Sequence, residues 1–401
     1  MVIVSCSGKF HAFNLAEELS ARGMLGGLFT TYAYRRNRLM RRFAGRLDKE
    51  DIPVDKIRTA VPLAVLMRLR PEPHRWNEWF DRWVAGQLSR YAGQKVFIGW
   101  SGMSLHSLRK ARSLGMVRVL ERGSAHIVHQ DVLLREEYGK FGIDFRIDPR
   151  TIEKELQEYE EADYISIPSL FARRTFVAEG IPEHKLLLNN YGTSDIFQPG
   201  PAAPSGSVFR IVYLGNLTVQ KGLVYLFQAL RGLEIPPDKW EAWFIGKVDA
   251  EMRSTVEQYR QPNWKFFGHV NHYELPGLLA RCDVGVMPSI QDGFGMVIPQ
   301  MMGCGVPVIA STNSAGEDVI RDGVNGFLVP IRQPDVIRGR LERLYGHPEE
   351  LQRMKEDAAK DIRRKSLAWS DYGDRYADHI RRLTGSGTAV GQTGMAVHSG
   401  K

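Results

Sequence analysis

Short apolar runs alternate with amphipathic stretches along almost the whole chain. Val2–Cys6 reads as a first strand, His11–Arg22 as a helix and Leu25–Thr31 as a second strand. Lys95–Trp100 is another apolar run that ends in the turn residues Ser101 and Gly102, and a helical stretch continues to Ser113. Val117–Leu120 is the next strand, and a helix over Ile152–Glu161 leads into Tyr164–Pro168. Apolar strands separated by helices predict parallel βαβ units.

The alternation breaks at Gln198–Ser207 (QPGPAAPSGS), a composition that describes a linker. It restarts with Phe209–Leu214, then Trp240–Ile245, Trp264–Phe267, Val284–Met287, Val306–Ala310 and Phe327–Val329. Two doubly wound α/β halves joined by a hinge are predicted, residues 1–200 and 207–368. Ligands are then expected in the cleft between them, outside the carboxyl ends of the strands. Residues 384–401, rich in Gly, Ser and Thr, read as a disordered tail.

Composition narrows the class. The 401 residues are 43% hydrophobic and 25% charged, which fits two or three globular domains and excludes collagen-like, coiled-coil and wholly disordered chains. No run approaches the length of a spanning helix, and MVIVSCSGKFHAF lacks a basic n-region and a cleavage site. A soluble cytoplasmic protein is expected. Cys6, Cys282 and Cys304 are too few and too far apart for a disulfide framework or a structural metal.

Charge is uneven. Residues 1–150 hold 26 Lys and Arg against 15 Asp and Glu, whereas the remainder holds 28 against 31. The surplus peaks at Arg35, Arg36, Arg38, Arg41, Arg42 and Arg46, interleaved with Leu39, Met40 and Phe43. Such a segment suits the anionic inner face of a membrane or a phosphorylated ligand, and equally a solvated helix face.

Several chemistries are missing. There is no G-x-G-x-x-G, P-loop or H-E-x-x-H, and Gly99-Trp100-Ser101-Gly102 only approximates a nucleophile elbow. No D-x-D triplet is present, which weakens the case for a site built on a divalent cation. His126 and His129 lack a third ligand nearby. Nucleic-acid binding has neither an aromatic platform nor a reader motif to support it.

The informative segment is 284–330, VGVMPSIQDGFGMVIPQMMGCGVPVIASTNSAGEDVIRDGVNGFLVP. A strand ends at Pro288-Ser289, a glycine-rich loop follows, and an apolar helix is predicted to start near Gly295. Gly293 and Gly295 allow close backbone approach, and the first helical N–H groups suit an anion such as a diphosphate. Asp292 lies in the loop, and Gln300 about two turns along the helix. An ordinary strand–turn–helix would read the same way.

The segment resembles the donor-site pattern of the family 4 retaining glycosyltransferases of the GT-B fold. The resemblance rests on Pro288-Ser289, Asp292, Phe294-Gly295, Gln300, Gly305, Pro307–Ala310 and Asp322–Val329. Val212–Gly222 (VYLGNLTVQKG) is similar to the loop that brings cations to the donor diphosphate, with Lys221 at the Lys position. Glu161–Ser169 and Asn189–Pro199 look like the last strands of the first domain and the entry to the hinge. Leu367–Leu383 resembles a terminal helix that returns to that domain, covering about 370–383. Residues 160–380 carry most of the likeness.

The resemblance implies two Rossmann-like domains and transfer of a sugar from a nucleoside diphosphate to a hydroxyl of a saccharide, lipid-linked or small-molecule acceptor. It implies retention of configuration, no metal and no cofactor, with a setting in polysaccharide or glycoconjugate synthesis. Donor contacts would come from Gly215, Asn216, Lys221, Asp292, Gly293, Phe294, Gly295, Met296, Val297 and Gln300. Asp292 would hold sugar hydroxyls and Gln300 the ribose. His126 is the expected contact to the transferred sugar, with His129 as runner-up and a purely structural histidine equally open. Catalysis would then fall to His126, Asp292 and Lys221. Gly8, Lys9 and His11 after the first strand would face the acceptor, as would Arg122 after Val117–Leu120, which could serve a phosphate or pair with a local carboxylate.

Three departures stand out. Asp292 and Gln300 occupy positions where the family has Glu, and Asn216 stands where it has Arg. Gln300 keeps an acceptor oxygen but loses the strength that charge adds. They motivate an alternative, a catalytically weak GT-B module that binds a saccharide or a partner.

Overall fold

The computed structural model describes residues 1–8, 10–32, 52–60, 72–200, 208–365 and 367–385. The first half is built on β1 (Val2–Ser5), β2 (Leu25–Thr30), β3 (Ile57–Thr59), β4 (Val96–Trp100), β5 (Val117–Glu121), β6 (Tyr164–Ile167) and β7 (Leu186–Leu188). They lie in the order β3-β2-β1-β4-β5-β6-β7, all parallel. The second half holds β8 (Phe209–Leu214), β9 (Trp240–Ile245), β10 (Trp264–Gly268), β11 (Val284–Met287), β12 (Val308–Ser311) and β13 (Gly326–Val329). Their order is β10-β9-β8-β11-β12-β13, again parallel.

Helices cover both faces, so the central strands bury every side chain: β1, β4, β11 and β12 are buried throughout. This is why they read as continuous apolar runs rather than alternating ones. In each sheet the strand order reverses beside the first strand, β1 next to β4 and β8 next to β11. Loops diverge there, and a crevice opens at the carboxyl ends.

The halves are tied together by two helices. Ile127–Gly139 belongs to the first half, yet its Leu134 and Tyr138 are buried in the core of the second. Its end is held by polar contacts. The Tyr138 hydroxyl donates to Glu251 at 2.9 Å, and the Tyr225 hydroxyl donates to Glu137 at 2.8 Å. Trp369–Leu383 packs on Ala12–Ala21, burying Tyr372 and Tyr376 in the first core, with Arg22 donating to Asp374 at 2.9 Å.

Some boundaries differ from the sequence reading. The helix after the glycine-rich loop is Val297–Gly303, because Gly295 has φ +73° and cannot be a helical residue. Strand β12 starts at Val308 instead of Val306, since Pro307 has no N–H to give a ladder. The edge strands β3 and β7 and the helices Pro73–Leu88, Pro334–Gly346 and Pro348–Arg364 were not anticipated. Lys9, the Arg35–Arg46 segment, linker residues 201–207 and the tail beyond 385 lie outside the described residues.

Candidate functional site

A cavity of about 600 Å³ lies between the halves, at the carboxyl ends of β1, β4, β5, β8 and β11. On the second-half side its wall includes Gly215, Lys221, Asp292, Phe294, Gly295, Met296 and Val297. Two strand ends therefore meet. Gly215 (φ +135°) turns the chain out of β8, and a short turn over Val219–Lys221 follows. Gly222 (φ +67°) closes that turn against the end of β11; a Cβ there would lie 2.1 Å from the Pro288 carbonyl oxygen. The Lys221 ammonium consequently reaches the Asp292 carboxylate and pairs with it. Asp292 is fixed by its own N–H, which donates to the Asn313 carbonyl at 2.9 Å.

Gly293 is one of the points where the halves touch. A Cβ there would come 1.9 Å from the Gly123 carbonyl oxygen, so any side chain would wedge the cleft open. The Gln291 side chain beside it donates to Ser124 Oγ at 2.7 Å, and the Phe294 ring sits 5.3 Å from that of Tyr191.

Three predicted donor residues are not on the wall: Gly293, which lies at the contact with Gly123, and the polar Asn216 and Gln300. Asn216 uses its carbonyl to accept from the Tyr213 hydroxyl at 2.8 Å, and Gln300 is buried one turn further along the helix. Neither lines the cavity.

On the first-half side, His11 and Arg122 line the cavity. Gly8 lies beside the exposed Phe10 ring at its mouth, so close that a Cβ would meet that ring at 2.3 Å. The Arg122 guanidinium is already occupied. It pairs with Glu155 at 3.3 Å and donates to Gln130 at 2.7 Å and to the Ala125 carbonyl at 3.2 Å.

His126 is not brought into the cleft. It precedes the helix Ile127–Gly139, its ring packs 4.9 Å from Tyr159 and 5.0 Å from Phe176, and it is 3% exposed. Burial, followed by the nearby Arg122 charge, pushes its pKa down to about 4, so it is neutral at pH 7. The direction of its helix turns it into the first core. His129 packs against Phe171 at 6.3 Å and also stays off the cavity wall.

Tyr191, Trp100 and Trp369 were missed as wall residues. Trp100 had a signal, the end of an apolar strand; Tyr191 and Trp369 reach the cleft only through the interdomain crossing.

Two other features are less suited to chemistry. A cavity of about 630 Å³ lies at the opposite, amino-terminal edge of the second sheet, where Asp283 already pairs with the Lys355 ammonium and accepts from the Arg210 backbone N–H. Glu78, Asp81 and His106 cluster like metal ligands, but the Lys154 ammonium lies among them, 2.8 Å from Glu78 and 3.2 Å from Asp81.

This geometry has known counterparts. Residues 208–347 match the family described as glycosyl transferases group 1. The fold is GT-B. Sucrose-phosphate synthase from Thermosynechococcus elongatus superposes over 96% of this chain and 99% of its own, with TM-score 0.71 and 17% identity. HepE of Anabaena, solved in complex with UDP-glucose, superposes over 95% and 99%, with TM-score 0.67 and 15% identity. In sequence, the putative glycosyltransferase EpsD of Bacillus subtilis is 34% identical over 40% of this chain and 42% of its own length. The putative colanic acid biosynthesis glycosyltransferase WcaL of Escherichia coli is 23% identical over 64% and 63%. The chain thus spans between about two fifths and three fifths of the length of these curated relatives. No helix among the described residues is long and apolar enough to cross a membrane.

Proposed function

We propose that the protein is a glycosyltransferase. It moves a sugar from a nucleoside diphosphate to a hydroxyl of a saccharide, lipid-linked or small-molecule acceptor in polysaccharide or glycoconjugate synthesis. The observation that carries the reading is the Lys221–Asp292 pair at the meeting of two strand ends, facing a second domain across a cleft. The matching family over residues 208–347 and the names of the relatives support it.

The chemistry follows from charge. As the bond from sugar to diphosphate breaks, negative charge grows on the diphosphate, and a cation already in place stabilises it without reorganisation. Lys221 supplies that cation, and the left-handed Gly295 lets the backbone come close to the phosphates. When donor enters, Lys221 exchanges Asp292 for phosphate and frees the carboxylate for sugar hydroxyls. Retention is part of the proposal, with the acceptor approaching on the face the diphosphate leaves. No metal is needed for these steps.

Release of nucleoside diphosphate from UDP-, GDP- and ADP-sugars, assayed with candidate acceptors, tests the reading. Turnover with one donor supports it. Saccharide binding with no release from any donor favours the weak-module alternative. The anomeric configuration of the product, read by NMR, tests retention.

A further inference from the structure

Glu121, the last residue of β5, is fully buried. A carboxylate buried in that way needs donors facing it. Two do so: the Tyr376 hydroxyl lies 3.0 Å from one oxygen, and the His11 ring Nε2 lies 2.8 Å from the other. A carboxylate oxygen accepts, so a ring that donates to it through Nε2 has its lone pair on Nδ1.

The imidazole is held on its faces as well. Tyr191 lies 4.0 Å away and Trp100 5.1 Å, measured between ring centroids. It stands on the wall of the same cavity as Lys221 and Asp292. The Gly123 backbone and the Tyr191 ring separate it from the donor loop. A Cβ on Gly123 would lie 4.0 Å from His11 Cε1, while one on Gly293 would strike the Gly123 carbonyl.

We propose that His11, oriented by Glu121, is the base that takes the proton of the acceptor hydroxyl. The step rests on the glycosyl-transfer reading. The acceptor oxygen forms its bond to the anomeric carbon, and the carbon–oxygen bond to the diphosphate breaks with its electron pair going to the diphosphate. The hydroxyl proton passes to His11 Nδ1. The imidazolium so formed faces the Glu121 carboxylate, which stabilises it; Glu121 is a positioning residue.

The surrounding groups leave Glu121 as the charge that governs the ring. Burial pushes the Tyr191, Tyr372 and Tyr376 phenols and the Cys6 thiol upward, so all four are neutral. Arg122 is balanced by Glu155, and across the cleft Lys221 is balanced by Asp292.

The test is kcat against pH for wild type, His11→Ala and Glu121→Gln, using the donor found by nucleoside diphosphate release. His11→Ala should lose about 10²–10⁴-fold in kcat and lose the fall in rate on the acid side, and added imidazole should restore part of the rate. Glu121→Gln should shift that acid limb to lower pH, because the imidazolium loses its partner. Unchanged calorimetric affinity for the nucleoside diphosphate certifies that both variants are folded. A His11→Ala protein with wild-type kcat, or one that is slower but keeps the acid limb and ignores imidazole, overturns the role; the diphosphate would then be the proton's destination. Absence of turnover by wild type with every donor overturns the glycosyl-transfer reading and this step with it.

Discussion

The Lys221 ammonium rests on the Asp292 carboxylate, although 71 positions separate the two residues. The contact exists because β8 and β11 are neighbours in the sheet, so the loops leaving them share one end of it. Each residue compensates the other, and in the proposed reaction a diphosphate and a sugar take their places. Lys221→Ala is expected to lower kcat by about 10²–10³-fold. The pair is partly exposed, so the stability change should stay within about 1 kcal/mol. Thermal melts alongside steady-state assays check both. Full turnover in a folded Lys221→Ala protein would remove the lysine from the diphosphate site.

Gly293→Ala places a methyl group where the Gly123 carbonyl now lies. The halves must part or the loop must shift, at a cost of about 1–3 kcal/mol. The expected result is a lower melting temperature together with a large loss of transfer. Wild-type values for both would mean that the contact yields without consequence.

His126→Phe is expected to retain turnover, because the ring is packed between Tyr159 and Phe176 and not in the cleft. It should also alter acid stability. The pKa of His126 is about 4 when folded, below the ordinary value of 6.5, so the unfolded chain binds a proton first as pH falls. The histidine's contribution is therefore complete above about pH 6.5 and is lost as pH falls toward 4. Urea midpoints at neutral and acid pH should diverge less in the variant than in wild type. An unchanged pH dependence would count against a neutral buried imidazole.

Asp318 works in the opposite direction. Burial pushes its pKa up to about 6, where it accepts from the Asn190 side chain and the Leu170 N–H across the domain contact. Its folded pKa exceeds the ordinary 3.8, so stability should fall as pH rises from about 4 through 6. Asp318→Asn should flatten the stability profile in that window. A profile identical to wild type would exclude Asp318 as its source.

Transfer is expected to survive EDTA, since the chain has no D-x-D triplet and Lys154 already sits among Glu78, Asp81 and His106. Loss of activity that manganese or magnesium restores would reverse this expectation.

The sequence by itself determined what local patterning controls. Strands buried on both faces are dominated by apolar residues, so β1, β4, β8, β9 and β11 were legible as runs. The loop around Asp292 was legible because Gly293 and Gly295 mark a backbone that comes close to something. Only the tertiary structure decided which polar side chains face the cleft. His126 and His11 both follow apolar strands, yet packing turns one into the core and the other onto the cavity wall. Glu121 is one more strand-end residue in the sequence; its importance comes from His11 and from Tyr376, 255 positions away on the returning helix. Gln300 and Asn216 show the same limit in reverse, since the right spacing still left both off the wall. Spacing along a chain fixes which face of an element a residue shares with its neighbours. Which element that face then meets depends on long-range packing, which no local window contains.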